Sequence, residues 1–468
     1  MLQQKIVALL GVVLISVCLK TRASEPARLP NFVIIYTDDQ RFDALGTNGN
    51  DVILTPHLDR LGQNGLVFTN AHVVFSLCSP SRAALLTGRY GSANGVLELG
   101  SGLNNEEKTI AQFLKQAGYQ TAMSGKWHLK QSAKQLGFDF GVYFHGNGTY
   151  YQRLINDQGK NIKPEAHCDF YCADRSVDFL KEAAEAEAPF FLFHNTQLPH
   201  MNGKHEWDAK AKTKAKYLTE DMPVAENRLD DLSTKPGYLK EVRNLTQAAK
   251  YGYPEKQAIQ KHSLEYYSVI SEMDDALGKV FNALDDLELW QNTYVIYMSD
   301  NGWMLGEHGF TSKVLPYEAS THVPMVVVGP SIEKGVSHAL VSNIDILPTV
   351  LELAGVTLPA NVHGRSLVPV LKDSEAQIRE SLVYEGLGSY GGAKPNLGVF
   401  RDGFRYIGTY ADANLDKLIF EELYNIRNDP QEMNNLIGET GLANNKIFYK
   451  KTLTEHKSMI IREKIGPK

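Results

Sequence analysis

The sequence predicts an α/β fold: a large, mixed, mostly parallel sheet sandwiched by helices, followed by a small C-terminal antiparallel-sheet subdomain. Three observations carry this expectation. Residues 31–36 (NFVIIY), 189–193, 293–298 and 325–328 are almost continuously apolar, as strands buried on both faces are. Between them the apolar residues fall at helical spacing, most clearly Leu264, Tyr267, Ile270, Met273, Leu277, Val280, Phe281 and Leu284. Beyond about Asp373 the pattern changes to short alternating runs with Gly-rich turns. A length of 468 residues suits one large domain and a smaller partner, with expected bounds of 24–373 and 374–468. Hydrophobic content of 43% and charged content of 22% belong to an ordinary soluble globular protein.

Residues 1–23 read differently. Lys5 precedes the apolar run 6–19, and Thr21-Arg22-Ala23 provides a small-residue cleavage site, the arrangement of a signal peptide. The run is too short for a spanning helix, so the protein is expected to be exported, periplasmic or secreted, with no membrane partner. Loss of this leader removes Lys5, Lys20 and Arg22 and no acid, moving the net charge from −6 to −9. Such a balance does not suggest a nucleic-acid binder.

The strand 31–36 ends on Thr37-Asp38-Asp39-Gln40. Two adjacent carboxylates at the end of a buried strand repel each other, and either a solvated turn or a divalent cation resolves the conflict. Next comes Cys78-Ser79-Pro80-Ser81-Arg82-Ala83-Ala84-Leu85-Leu86-Thr87-Gly88-Arg89. Pro80 suits a first helical turn, the Ala and Leu residues are good helix formers, and Gly88 is placed to end the helix. Cys78 therefore stands at the helix N-terminus, where free N–H groups and the dipole favour an anion, and Arg82 returns to the same face four residues on. Taken alone, Cys78 reads as a small apolar residue buried at the start of a core helix.

Residues 105–118 read as an amphipathic helix through Ile110, Phe113, Leu114 and Ala117, and 121–124 as a short strand leading to Gly125-Lys126-Trp127-His128. Asn147-Gly148-Thr149 and Asn244-Leu245-Thr246 are glycosylation sequons, relevant in a eukaryotic source. Cys168 and Cys172, spaced C-x3-C, are a pair that an oxidising compartment could close; His167 beside them lacks the further ligands of a metal site. The strand 189–193 leads to His194 and then to Leu198-Pro199-His200. From 201 to 261 the chain turns polar and Pro-broken, an insertion of the kind in which specificity resides. The helix around Leu264–Leu284 follows, then strand 293–298, ending on Ser299-Asp300-Asn301-Gly302. Two core strands that deliver acidic and amide oxygens at their carboxyl ends can meet above one sheet edge, where open α/β folds place their sites. Asp38, Asp39, Asp300 and Asn301 are all oxygen donors, a set for calcium or magnesium rather than zinc.

The run from Cys78 to Arg89 resembles, at every signature position, the C-x-P-S-R-x-x-L-x-T-G-R motif of type I sulfatases, of the alkaline phosphatase-like superfamily. Both acidic strand ends, the GKWH string, Pro199-His200, Leu305-Gly306-Glu307-His308-Gly309 with Lys313, and Glu422-Leu423-Tyr424-Asn425 resemble further motifs of that family. The resemblance implies that a maturation enzyme oxidises Cys78 to formylglycine, whose hydrate is the nucleophile. It implies one calcium ion on Asp38, Asp39, residue 78, Asp300 and Asn301. Arg82 and Lys126 would stabilise the ionised hydrate, His128 would help release sulfate, and Lys313 and His200 would contact sulfate and protonate the leaving oxygen. The implied substrate is a sulfated carbohydrate or polysaccharide-derived oligosaccharide. One departure is His322, where the family commonly has Arg before Val-Pro; it bears on specificity more than on chemistry. Two rival readings stand beside this one: a phosphonate or phosphodiester hydrolase of the same superfamily, and a non-catalytic sulfated-glycan-binding protein with Cys78 unconverted.

Overall fold

The computed structural model describes residues 28–186 and 188–465; the expected leader lies outside the described residues. Ten strands form one sheet in the order Gly335–Ser337, Leu66–Phe68, Met325–Val328, Thr293–Ser299, Asn31–Asp38, Phe190–Pro199, Gln120–Lys126, Phe140–Phe144, Ile155–Asp157 and Lys160–Ile162. The five from Thr293–Ser299 to Phe140–Phe144 are parallel, and antiparallel pairs flank them on both sides. The sheet is thus mixed and mostly parallel.

Its central strand shows why an uninterrupted apolar run was needed. Successive side chains point to opposite faces. Phe32, Ile34 and Tyr36 enter one core with Leu85, Leu86, Leu114 and Leu347, while Val33 and Ile35 enter the other with Leu180, Ile270 and Leu277. Helices cover both faces. Cys78–Thr87, Ile110–Gln116 and Ile346–Leu353 lie on the first, and Cys168–Glu185 with the 31-residue Lys256–Asp286 on the second.

The helix expected over 105–118 begins only at Ile110. Thr109 accepts from the Gln112 backbone N–H (3.3 Å) while the Gln112 side chain accepts from Thr109 N–H (2.9 Å), a reciprocal cap that fixes the start. Cys168 and Cys172 are free, buried thiols and form no disulfide. Both sit in the first turns of one helix, with the Cys168 sulfur turned toward Asp169 and Gln197 (3.8 Å each). His167 is that helix's N-cap, accepting from Asp169 N–H at 3.2 Å.

The polar insertion runs as loops and short helices, anchored by Trp207, whose indole N–H donates to the Pro199 carbonyl at 2.6 Å. A separate antiparallel sheet of Leu382–Gly386, Asn396–Arg401, Phe404–Tyr410 and Leu418–Asn425 follows, packed under helix Ala443–Ile465. No described helix is long and apolar enough to cross a membrane.

Candidate active site and metal centre

The site is built by strand register. Asn31–Asp38 and Thr293–Ser299 run parallel with Thr37 opposite Ser299, so Asp38, Asp39, Asp300 and Asn301 emerge side by side. The Asp300 N–H donates to the Thr37 carbonyl (2.9 Å), and the Asp39 N–H to Asp300 Oδ1 (3.2 Å). Asp39 has φ of +69°, a left-handed conformation uncommon for a non-glycine residue; Tyr266 holds it by donating to its carbonyl at 2.7 Å.

Cys78 is the first residue of its helix, whose cap is Leu77 and whose end is Gly88 at φ +64°. Its sulfur lies 3.3 Å from Asp38 Oδ1, 2.7 Å from Lys313 Nζ and 3.7 Å from Lys126 Nζ. Lys126 is ion-paired to Asp38 and donates to Asn147 Oδ1 (2.8 Å); Lys313 is ion-paired to Asp39. Arg82, fully buried, donates to Asp300 Oδ2 (2.8 Å), Asn195 Oδ1 (2.6 Å) and the Lys126 carbonyl (3.2 Å). His200 donates Nδ1–H to the Met201 carbonyl (2.7 Å), which leaves Nε2 facing Asp39 Oδ2 at 3.5 Å. His128, at φ +61°, has its Nδ1 unpartnered.

Local sequence explains these placements. Gly125 has φ +103°, and a Cβ there would meet the Asn195 carbonyl oxygen of the neighbouring strand at 1.7 Å, so only glycine lets Lys126 follow at this point. Lys313 lies between Ser312 (φ +74°) and Val314 (φ +83°), a strained turn. Asn244 secures it by donating to the Thr311 and Lys313 carbonyls (2.7 and 2.8 Å).

Charge is concentrated here. Burial raises the pKa of Asp38, but Lys126, His200, Lys313 and Arg82 outweigh it and hold the carboxyl well below its usual range. Burial, with Asp38 beside it, pushes Asp39 up to about 6 against the pull of Lys313. Burial and Asp38 likewise push Asp300 to about 7, against Arg82. Burial, then Lys126, drops His128 to about 2 and holds His200 well below its usual value. Burial and Asp38 raise the Cys78 thiol, so as a cysteine residue 78 is not ionised and makes a poor nucleophile.

Three buried carboxylates around one point ask for a cation. Donor atoms of Asp38, Asp39, Asp300 and Cys78 all lie within 4.8 Å of one another. Asp39 Oδ2 and Asn301 Oδ1 are buried with no hydrogen-bond partner, two acceptors left for an ion. The residues therefore fit a metal, and the oxygen donors fit a hard one.

The ten residues to which the resemblance gives a catalytic or metal-binding role converge here: Asp38, Asp39, Cys78, Arg82, Lys126, His128, His200, Asp300, Asn301 and Lys313 occupy one neighbourhood of contacts and charges. His194 is a core residue bonded to Ser176 (2.9 Å). His322 lines a different cavity, its Nδ1 2.7 Å from Glu318 Oε1 and its ring stacked on Phe42. Asn195 and Asn147 were missed as site residues; nothing local marks Asn195, and Asn147 carried only its sequon. The Asn244 sequon reading falls, because Asn244 is buried with its amide nitrogen committed to two carbonyls; Asn147 is exposed at the cavity, its Oδ1 accepting from Lys126.

Comparison with known proteins agrees with the geometry. A family model described as Sulfatase matches residues 30–356, and one described as N-sulphoglucosamine sulphohydrolase, C-terminal, matches 306–459. The N-acetylglucosamine-6-O-sulfatase of Bacteroides thetaiotaomicron is 28% identical, across 90% of this chain and 84% of its own. Human arylsulfatase A is 31% identical, across 88% of this chain and 84% of its own. Among solved structures, BT4656 in complex with its substrate D-glucosamine-2-N,6-O-disulfate superposes with a TM-score of 0.83 at 26% identity, across 92% of this chain and 98% of its own. With one model spanning well over half of its length and enclosing the whole donor cluster, the chain belongs to the sulfatase family and is a sulfuric ester hydrolase.

Proposed function

We propose that the protein hydrolyses sulfate esters of a sulfated carbohydrate or polysaccharide-derived oligosaccharide, using formylglycine made from Cys78 and one calcium ion. The convergence of residue 78 and Lys313 at the floor of one cavity with three buried carboxylates and Lys126 directly behind them carries the reading. The saccharide assignment leans on the relatives that act on sulfated glucosamine. Asp38, Asp39, Asp300, Asn301 and residue 78 would hold the ion, which when bound supplies positive charge for the sulfate oxygens. As formylglycine hydrate, residue 78 carries two hydroxyls, one to attack sulfur and a second whose ionisation allows sulfate to leave.

The chain's other residues have separable tasks. Arg82 fixes the Asp300 carboxylate and, through Asn195, is itself held rigid. Lys126, steadied by Asp38 and Asn147, faces residue 78 and favours its ionised form. Lys313 stands where it can meet the transferred sulfate. His128 takes part in sulfate release. His200, its Nδ1–H spent on Met201, presents Nε2 to the cavity and is placed to carry a proton to the leaving oxygen.

The phosphonate ester reading remains the nearest rival, and relative rates on matched aryl sulfate and phosphonate esters separate the two. A silent glycan-binding role would need a missing active-site group, and every position is filled by a competent residue. We further propose that residues 1–23 direct export to the periplasm or medium and that a formylglycine-generating enzyme is a partner in maturation. Desulfation of a panel of defined sulfated saccharides tests the function; activity on none of them, alongside activity on phosphonates, would overturn it.

A further inference from the structure

The cavity over residue 78 contains a cation that the chemistry described so far does not use. Arg243, the first residue of helix Arg243–Lys250 in the polar insertion, lines the same cavity as Cys78, His200 and Lys313. Its guanidinium sits over the ring of Tyr390 (5.5 Å to the centroid) and donates to the Tyr390 hydroxyl. Tyr390 belongs to the segment between the first two strands of the C-terminal sheet, so two distant stretches of chain meet to place this group.

Its charge is unmatched. Lys313, the lysine at the cavity floor, is ion-paired to Asp39, and Lys126 behind it to Asp38. Among the described residues no carboxylate lies within ion-pairing distance of Arg243, and it is exposed. Stacking on Tyr390 orients the planar guanidinium without neutralising it, which suits a flat bidentate contact with an oxyanion. Its place at a helix start adds the positive end of that helix's dipole. Around it the cavity offers Trp303 and Tyr251 as apolar walls and Gln247 as a hydrogen-bonding group, the mixture that takes a sugar ring.

We propose that Arg243, held by Tyr390, is a second anion subsite, and that the preferred substrate is a saccharide bearing a further sulfate or carboxylate besides the sulfate that is cleaved. The proposal rests on the saccharide sulfatase reading. It assigns Arg243 to binding and not to bond breaking.

The test compares a monosulfated sugar with the same sugar carrying a second sulfate, and with one carrying a carboxylate, using mature calcium-loaded enzyme. A charge-assisted contact at an exposed guanidinium should give the doubly anionic substrates an advantage of about 10-fold in kcat/KM, expressed in KM. Arg243→Ala should bring that ratio close to one, and Arg243→Lys should leave it intermediate. Which of the two doubly charged sugars gains more identifies the anion. A ratio near one in the native enzyme, or a ratio that Arg243→Ala leaves unchanged, would overturn the subsite while leaving saccharide desulfation intact. A calorimetric titration with a sugar that carries only the second anionic group needs no turnover. It should show binding that Arg243→Ala weakens about 10-fold, and equal binding to both proteins would overturn the subsite even if the saccharide reading had failed.

Discussion

Removing the His200 imidazole should matter in proportion to how badly the leaving alcohol needs a proton. His200 is buried, its ring is fixed by the Met201 carbonyl, and Nε2 is the nitrogen left free toward the cavity. A sugar hydroxyl carries little negative charge as it departs, so His200→Ala should cost roughly 10²–10⁴-fold in kcat/KM on a sugar sulfate, the usual range for a general acid. That range corresponds to about 3–5 kcal/mol of transition-state stabilisation. A nitrophenyl or nitrocatechol leaving group carries the charge itself, and the loss there should be clearly smaller. The sign of the pH dependence follows from the site. Burial and Lys126 hold His200 below its ordinary pKa, so the acid form gains as pH falls, and the native enzyme's relative rate on sugar over aryl sulfate should rise from pH 8 toward 5. His200→Ala should lack that rise. Steady-state kinetics on both substrates measures it, with circular dichroism and calcium content as controls. Equal losses on the two substrates in a folded, calcium-loaded variant would refute the acid role and move it to Lys313.

Asp300→Ala removes a candidate ligand and also the closest acid partner of Arg82, so calcium and activity should be lost together; full activity in metal-free protein would eliminate the proposed centre. Mass spectrometry of the peptide ending at Arg82, from protein made with a maturation enzyme, should show aldehyde in place of thiol at residue 78, and thiol alone in active protein would sink the mechanism. Gly125→Ala must push the strand Gln120–Lys126 off its neighbour at a left-handed position, costing about 2–5 kcal/mol in chemical denaturation and displacing Lys126. Denaturation indistinguishable from the native protein would show that the glycine is not required there.

What the sequence made legible is what local physics controls. Residues 31–36 and 293–298 announce two-sided burial, and the acidic residues at their ends announce a shared site once the strands are neighbours. The register that sets Thr37 against Ser299 is a long-range property, and no local pattern contains it. Asn195 supports Arg82 across more than a hundred residues of chain, and Arg243 meets Tyr390 across a similar gap. A sequon is a three-residue pattern with no information about burial, which is why Asn244 misled. The C-x3-C spacing carries no orientation either: one helix turn sets both sulfurs on the same side, and each stays a thiol.

The C-terminal sheet raises a question that its separate pattern conceals, because the residues around the nucleophile and the metal centre all precede it in sequence. Its first strand is bonded to the loop before the nucleophile through the Glu385 N–H and the Val74 carbonyl (2.8 Å). The Tyr384 hydroxyl lies between Ser76 Oγ and the Val314 carbonyl, at 2.9 Å from each. Ser76 precedes Cys78 by two residues, and Val314 follows Lys313 by one. Val314 N–H in turn donates to the Ser76 carbonyl at 3.1 Å. One phenol therefore clamps the loop that delivers residue 78 to the strained turn that delivers Lys313, and Arg405 adds a bond to the Pro316 carbonyl (2.9 Å). Left-handed Ser312 and Val314 would relax without such contacts, and the 2.7 Å separation of Lys313 from residue 78 would relax with them. The small sheet contributes none of the reacting groups, yet it fixes the distance between two of them.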